Sequence, residues 1–366
     1  MLHCSMLQMP RKMHQSKKHG EVLLLGRIWF FLTQLNFKAN ARKIIIPLFF
    51  VLPISMLYVL DPDSFNYTWK GRALYLFFLW LLFLELILAW EKLTQKNLAS
   101  LRKSRIVAIG VTASIPVVYV LCVNLLRLNP LLIQLGEQIL TYWHFSLANL
   151  HYWPISLEYL VFTILFTATI WLAYEVEGLK QFSISLFLLG AIGTIYMIDT
   201  FYPYGAFTPF QAFVPFTASS AAQILNWMGY KTFFMPYQVQ DTPVLYASGS
   251  SGQAGFAIGW PCAGVQSLFI YTCVILLFFK KSTIPMIQKI IYFVIGAVGT
   301  YIVNILRIVS IYVVAINQGM PAAQVFHNYY GEFYSMTWIV TYLLIIILSP
   351  SIWSHLPFRT KPSETG

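Results

Sequence analysis

The chain has 366 residues, 58% of them hydrophobic and only 10% charged, with a formal net charge of +11. Water-soluble domains carry about 25% charged residues, so this composition excludes an ordinary soluble enzyme, a disordered chain and a secreted disulfide scaffold. Runs of Leu, Ile, Phe and Val recur along the whole length. They exclude one large soluble domain on a single anchor and predict an all-α, polytopic helical membrane protein. In hydrocarbon the backbone must pair with itself, so only helices or closed barrels span, and these runs lack the alternation of barrel strands.

Residues 1–43 are basic, with Arg11, Lys12, Lys17, Lys18, Arg27, Lys38, Arg42 and Lys43. Within them 22–37 is short for a span and fits an interfacial helix. No cleaved signal peptide is expected. About eight transmembrane helices follow, at 44–60, 73–90, 106–126, 154–174, 182–202, 263–279, 288–310 and 333–350. Pro47, Pro53 and Pro116 are expected to kink spans rather than end them. The segment 203–262 is too long to be structureless. Within it 209–228 predicts a helix too polar to span, lying on the outer surface or dipping into it, and 237–251 a short hairpin. Residues 351–366 form a tail.

With the N-terminus in the cytoplasm, 19 of the 24 Lys and Arg fall inside and 5 outside. That split obeys the positive-inside rule and puts both termini in the cytoplasm of a multi-pass cell-membrane protein. The excess charge is thereby assigned to cytoplasmic loops beside anionic lipid, and no nucleic acid partner is expected.

Chemistry gathers at the outer ends of the last three spans. Cys262 begins span six in WPCAG, Asn304 and Arg307 lie in NILR near the outer end of span seven, and His327 precedes span eight in HNYYGE. From Lys289 to Arg307 a helix rises about 27 Å, nearly a full hydrocarbon thickness. A thiol, a guanidinium and an imidazole therefore share one depth. Singly each has a plain reading, as a small hydrophobe, a snorkelling cation and a loop histidine. Together they fit thiolate attack on a carbonyl. A helix start beginning at Pro261 favours the Cys262 thiolate. His327 then moves the proton, and Arg307 stabilises the oxyanion or holds a carboxylate. Asn304, on the same helical face, orients the guanidinium or the imidazole.

This arrangement resembles the exosortase/archaeosortase family of membrane cysteine transpeptidases, and most closely its thaumarchaeal archaeosortase branch. The family pattern is a cysteine in a C-[AS]-G context at a span start, then N-x-x-R in the next span, then a histidine, or arginine in some archaeal members, before the last core span. Here these are Cys262-Ala263-Gly264, Asn304 to Arg307, and His327. The resemblance covers roughly 150–350, and GSSGQAGFAIGWP before Cys262 is longer than in bacterial members. It implies a catalytic set of Cys262, Arg307 and His327 with Asn304 in support, and a catalytic part at about 200–345. The implied organisation is a basic cytoplasmic segment 1–43, a transmembrane domain 44–350 with outer loop 203–262, and a tail 351–366. The implied partners are exported proteins ending in a short motif, an apolar span and a basic tail. They would be cleaved at the motif through a Cys thioester and passed to a lipid or other amine acceptor, at a site facing the non-cytoplasmic side.

Other residues carry weaker signals. His144, His151 and Glu137, with His327 or Glu332, lack diagnostic metal spacing, and no metal or cofactor is expected. Glu85 and Glu158 read as paired structural carboxylates, and Cys122 and Cys273 as small hydrophobes. Trp143, Trp153, Tyr202, Tyr329 and Tyr330 fit an interfacial belt. Ser250 and Ser251 in GSSG miss the nucleophile-elbow spacing and read as a flexible loop. The rival reading is a transporter or a cell-surface assembly protein without covalent chemistry.

Overall fold

The computed structural model describes residues 44–95, 101–126, 128–202, 208–235 and 242–354. The basic segment 1–43 with its expected interfacial helix, Arg127 and the tail from 355 lie outside the described residues. The helices are α1 (Val51–Leu60), α2 (Ala73–Gln95), α3 (Lys103–Leu125), α4 (Leu128–Tyr142), α5 (Trp153–Gln181) and α6 (Ser183–Phe201). They continue with α7 (Thr208–Gln211), α8 (Phe213–Trp227), α9 (Val265–Lys280), α10 (Met286–Gln318), α11 (Met320–Val325) and α12 (Gly331–Ser354). All eight predicted segments are helical. Among the described residues five helices, α2, α3, α5, α6 and α10, are long and apolar enough to cross a membrane. The apolar helices Ile44–Leu60, Val265–Lys280 and Phe333–Leu348 are shorter.

The breaks have local causes. Pro53 has no N–H for the Phe49 carbonyl, which accepts from the Leu52 amide instead at 3.2 Å, and a turn at Phe49 and Phe50 interrupts the helix one turn before it. Pro116 sits inside α3. In α5 the helix is interrupted at Glu175, whose φ is 61°, next to the expected end of that span at 174. Arg105 fastens the break, donating to the Leu172 carbonyl (2.6 Å) and to Glu175 (3.1 Å). Residues 128–142, read only as part of an outer segment, form α4, with Leu131, Leu135 and Tyr142 exposed along it.

The loop 203–262 is largely structured. After α8 come three antiparallel strands, β1 (Lys231–Phe234), β2 (Val244–Gly249) and β3 (Gly252–Ala257), in the order β1-β2-β3. The hairpin lies further along than expected. It joins β2 to β3 through the two residues Ser250 and Ser251, between the paired Gly249 and Gly252. GSSG is thus a tight turn and not a flexible loop, and the all-α bundle carries a small sheet. α10 explains where that sheet rests. Its 33 residues rise about 50 Å, well beyond a hydrocarbon core. The part past Arg307 receives the sheet: Tyr312 donates to the Leu245 carbonyl at 2.7 Å and packs edge-on against Phe256.

Three cores hold the molecule. The first joins α1, α2, α3, α5 and α6 with the buried Cys273 and Leu277 of α9. The second joins α8, the sheet, the Trp260 turn and the later half of α10. The third joins α9, α10 and α12. Trp69, between α1 and α2, packs against the first and second, edge-on to both Tyr196 (5.4 Å) and Trp260 (5.1 Å).

Buried charges sit at both ends of the bundle and are paired. Glu85, fully buried, forms an ion pair with Lys280 and accepts the backbone N–H groups of Ile184 and Ser185 at 3.1 and 2.9 Å, which caps α6. At the opposite end Arg72 makes a two-pronged bond to Glu158 (2.8 and 2.7 Å) and reaches Asp61 (2.6 Å) and Ser64 (3.0 Å). Glu85 and Glu158 are therefore the paired structural carboxylates expected of them. Because Arg72 and Glu158 are both buried, removing one strands the other's charge, at a cost of about 3–5 kcal/mol. Glu158→Ala should lower the thermal unfolding midpoint in detergent, and Arg72→Leu in the same chain should recover much of the loss.

Candidate functional site

A cavity of about 290 Å³ opens where the second core meets the later half of α10. Cys262, Asn304, Arg307 and His327 all line it. The four residues singled out in the sequence are thus brought together around one space.

Each is placed by its own local logic. Cys262 lies on a one-turn 3-10 segment, Trp260–Ala263, anchored by the buried Trp260 and Ala263. Its position differs from the expected one: α9 proper starts at Val265, and Gly264 stands between them at φ 96°. The thiol is therefore not in the first turn of a long helix, and the helix-dipole support expected for it does not apply as framed. Gly264 makes the bend. A left-handed φ favours glycine, and a β-carbon there would sit 3.1 Å from the Asn304 amide nitrogen. Asn304, 1% exposed, donates from Nδ2 to the Cys262 carbonyl at 3.0 Å. The bond found for it therefore fixes the turn that bears the thiol, where the sequence pointed to the guanidinium or the imidazole.

Arg307 follows one turn after Asn304 on α10. Its guanidinium lies over Gly331, where a β-carbon would come within 2.6 Å of Nε. This explains a glycine at the start of α12. His327 is not in a loop: it sits on a wide π-type turn, Phe326–Tyr330, between α11 and α12. Such turns shift the phase of a helix and recur at functional sites.

The electrostatics follow from this setting. The Cys262 side chain is exposed into the cavity, yet protein walls surround it. That burial pushes its thiol up from the ordinary value, and the positive charge of Arg307 works against the push. Of the two effects burial prevails, and the neutral thiol is favoured.

Several lining residues were not singled out in the sequence: Thr68, Trp69, Gln266, Tyr312 and Gln324. Thr68 and Trp69 come from the other half of the chain. The Thr68 carbonyl accepts from Tyr196 (3.1 Å) and Gln266 (3.4 Å). Lys70 beside them pairs with the buried Asp199 and lies 4.1 Å over the Tyr152 ring. The available signal was Lys70 and Arg72 on the outer side of a positive-inside scheme, where two cations so close to spans call for partners. Around His144, His151 and Glu137 no metal-holding group forms: among the described residues no three of His, Cys, Asp and Glu come together.

Fold and site together define a multi-spanning membrane protein with a thiol, a guanidinium and an imidazole around one cavity. A family model for the transmembrane exosortases matches residues 68–346. The chain belongs to the transmembrane exosortase family, a broad class of membrane protein-sorting enzymes. No curated protein and no solved structure matches it.

The raised thiol yields a direct expectation. Thiolate is the alkylated form, so the iodoacetamide reaction at Cys262, followed by mass spectrometry, should show a pH midpoint above that of free cysteine. Arg307→Ala removes the opposing cation and should move the midpoint higher, slowing labelling at pH 8; an unchanged midpoint would show that the two do not interact.

Proposed function

We propose that this protein is a membrane-embedded cysteine protease and transpeptidase of the archaeosortase kind. It cleaves the C-terminal sorting signal of exported surface proteins and transfers the new C-terminus to a lipid or other amine acceptor. The observation that carries this reading is the cavity shared by Cys262, Arg307 and His327. The family match supports it for the chain as a whole.

In the proposed reaction His327 takes the proton of the Cys262 thiol as the sulfur attacks the scissile carbonyl. The carbonyl electrons move to oxygen, and Arg307 faces the oxyanion. As the tetrahedral intermediate collapses, the C–N bond breaks and His327 gives the proton to the leaving amine. A thioester remains on Cys262. An acceptor amine then attacks it, His327 again moving the proton, and the thiol returns. Water as acceptor gives plain hydrolysis. Asn304 is a positioning residue that holds the Cys262 turn.

Orientation follows from charge. The cavity lies at the end of the bundle away from Lys92, Arg105, Lys280 and Lys289. The positive-inside rule assigns that basic end to the cytoplasm and the cavity to the non-cytoplasmic side. A sorting signal with its own span and a basic cytoplasmic tail would then present its scissile bond at the cavity's level.

The test is the mature C-terminus of a co-expressed protein carrying such a signal, read by mass spectrometry. Cys262→Ala, present at normal levels, should abolish processing. His327→Ala should slow it by about 10²–10⁴-fold, and Arg307→Ala by about 10²–10³-fold. Full processing by Cys262→Ala would end the thioester account and leave a role without covalent chemistry.

A further inference from the structure

The cavity touches the last two residues of β3, Phe256 and Ala257, and Ile258 just beyond it. Successive side chains of a strand point to opposite faces. A space that meets both Phe256 and Ala257 therefore meets both faces at the end of β3 and, between them, its edge. Among the described residues β3 is an edge strand, paired on one side with β2.

The register decides which backbone groups face outward. Ile258 donates to the Pro243 carbonyl at 3.0 Å, and Met235 donates to the Val244 carbonyl at 3.0 Å. In an antiparallel ladder the direction of these groups alternates by residue. Ile258, Phe256 and Ala254 therefore turn their N–H and C=O groups toward β2. Val244 turns toward β1, so its opposite number Ala257 points away from the sheet. The Ala257 N–H and C=O lie on the free edge, on the strand that leads through Gly259 to the Cys262 turn.

We propose that the substrate binds as an added strand. An extended peptide segment of the sorting signal pairs with the outward N–H and C=O of Ala257 and runs along the edge of β3, which lays its scissile carbonyl toward Cys262. Backbone pairing of this kind holds any extended sequence, while the apolar walls from Trp69, Phe256, Ile308 and Met320 select side chains. The occupant is a polypeptide in extended conformation. A lone acceptor amine or a lipid chain offers no alternating donors and acceptors to an edge. This inference rests on the peptide-cleaving reading above.

Proline separates the edge from the fold. At an outward position of an edge strand it removes one N–H that the sheet does not use. Ala257→Pro should fold with an unchanged melting temperature and unchanged Cys262 alkylation, yet bind a substrate peptide about five- to tenfold more weakly, read as KM. Gln253→Pro also removes an outward N–H of β3, but away from the cavity, and should leave KM unchanged. A scan of single N-methyl groups along the peptide should weaken binding at alternate residues. Should Ala257→Pro fail to fold, that scan decides alone. An unchanged KM in folded Ala257→Pro, or a scan without a period of two, would overturn strand addition. Binding is also measured with Cys262→Ala, which should retain the peptide and its period-two pattern. Loss of strand addition with processing still dependent on Cys262 leaves the proposed function standing; processing without Cys262 removes the function itself.

Discussion

One hydrogen bond ties the site together: the side chain of Asn304 donates to the carbonyl of Cys262. It links the turn that bears the thiol to the helix that bears the guanidinium, and Arg307 follows Asn304 by a single helical turn on that rigid element. The Asn304 side chain is buried, so leaving its amide unpaired would cost about 1–3 kcal/mol. Its geometry also dictates the bend. The Asn304 amide fills the space a side chain at residue 264 would need, and the left-handed φ disfavours any residue but glycine. Cys262, Gly264, Asn304 and Arg307 thus form one mechanical unit, and His327 is brought to it by the phase shift of the π-type turn.

The remaining wall of the cavity is supplied by distant chain, and buried ions hold it in place. Lys70 to Asp199 and Arg72 to Glu158 fasten the segment between α1 and α2 onto α5 and α6. Tyr159 adds a bond to the Gly71 carbonyl at 3.1 Å and Tyr196 one to Thr68. Buried ion pairs contribute little net stability, because desolvation offsets most of the attraction; register is their better-attested role. Here the register in question is that of Thr68 and Trp69 against the Trp260 turn. The motif-bearing half of the chain therefore depends on the other half for a complete cavity, in agreement with a family match that begins at residue 68.

Much of this was legible in the sequence. Long apolar runs marked the eight expected helical segments, because a hydrocarbon-facing helix admits few charges, whereas α4 went unmarked. The coincidence of Cys262, Arg307 and His327 was legible because helix rise converts sequence separation into depth. Finer features were not. A 3-10 turn and a left-handed glycine separate Cys262 from α9, and nothing in WPCAG distinguishes that from a helix begun at Pro261. The partner of Asn304 is a backbone carbonyl, which carries no residue-specific signal. The role of Lys70 was hidden because Asp199 is 129 residues away and each reads singly as an interfacial charge. The sheet was half visible: GSSG looked like a loop because glycine and serine serve a tight hairpin turn and a flexible linker alike. The extension of α10 past residue 310 depends on the sheet that covers it, a tertiary effect outside local pattern.

The neutral thiol and the proposed edge-bound peptide belong to one scheme. Burial disfavours the thiolate, and Arg307 offsets that only in part, so proton loss is most favourable when charge can move on to a carbonyl oxygen as the sulfur bonds. A peptide laid along β3 brings that carbonyl and displaces water from an already apolar space. Lower local dielectric strengthens the attraction between Arg307 and a nascent oxyanion far more than it affects the neutral ground state. Binding along the edge, as proposed, would supply both the electrophile and the environment in which the guanidinium acts most strongly. A small solvated ester or amide lacks the strand contacts and leaves the cavity wet. On the proposed scheme the site discriminates by whether the backbone can pair before it discriminates by side chain.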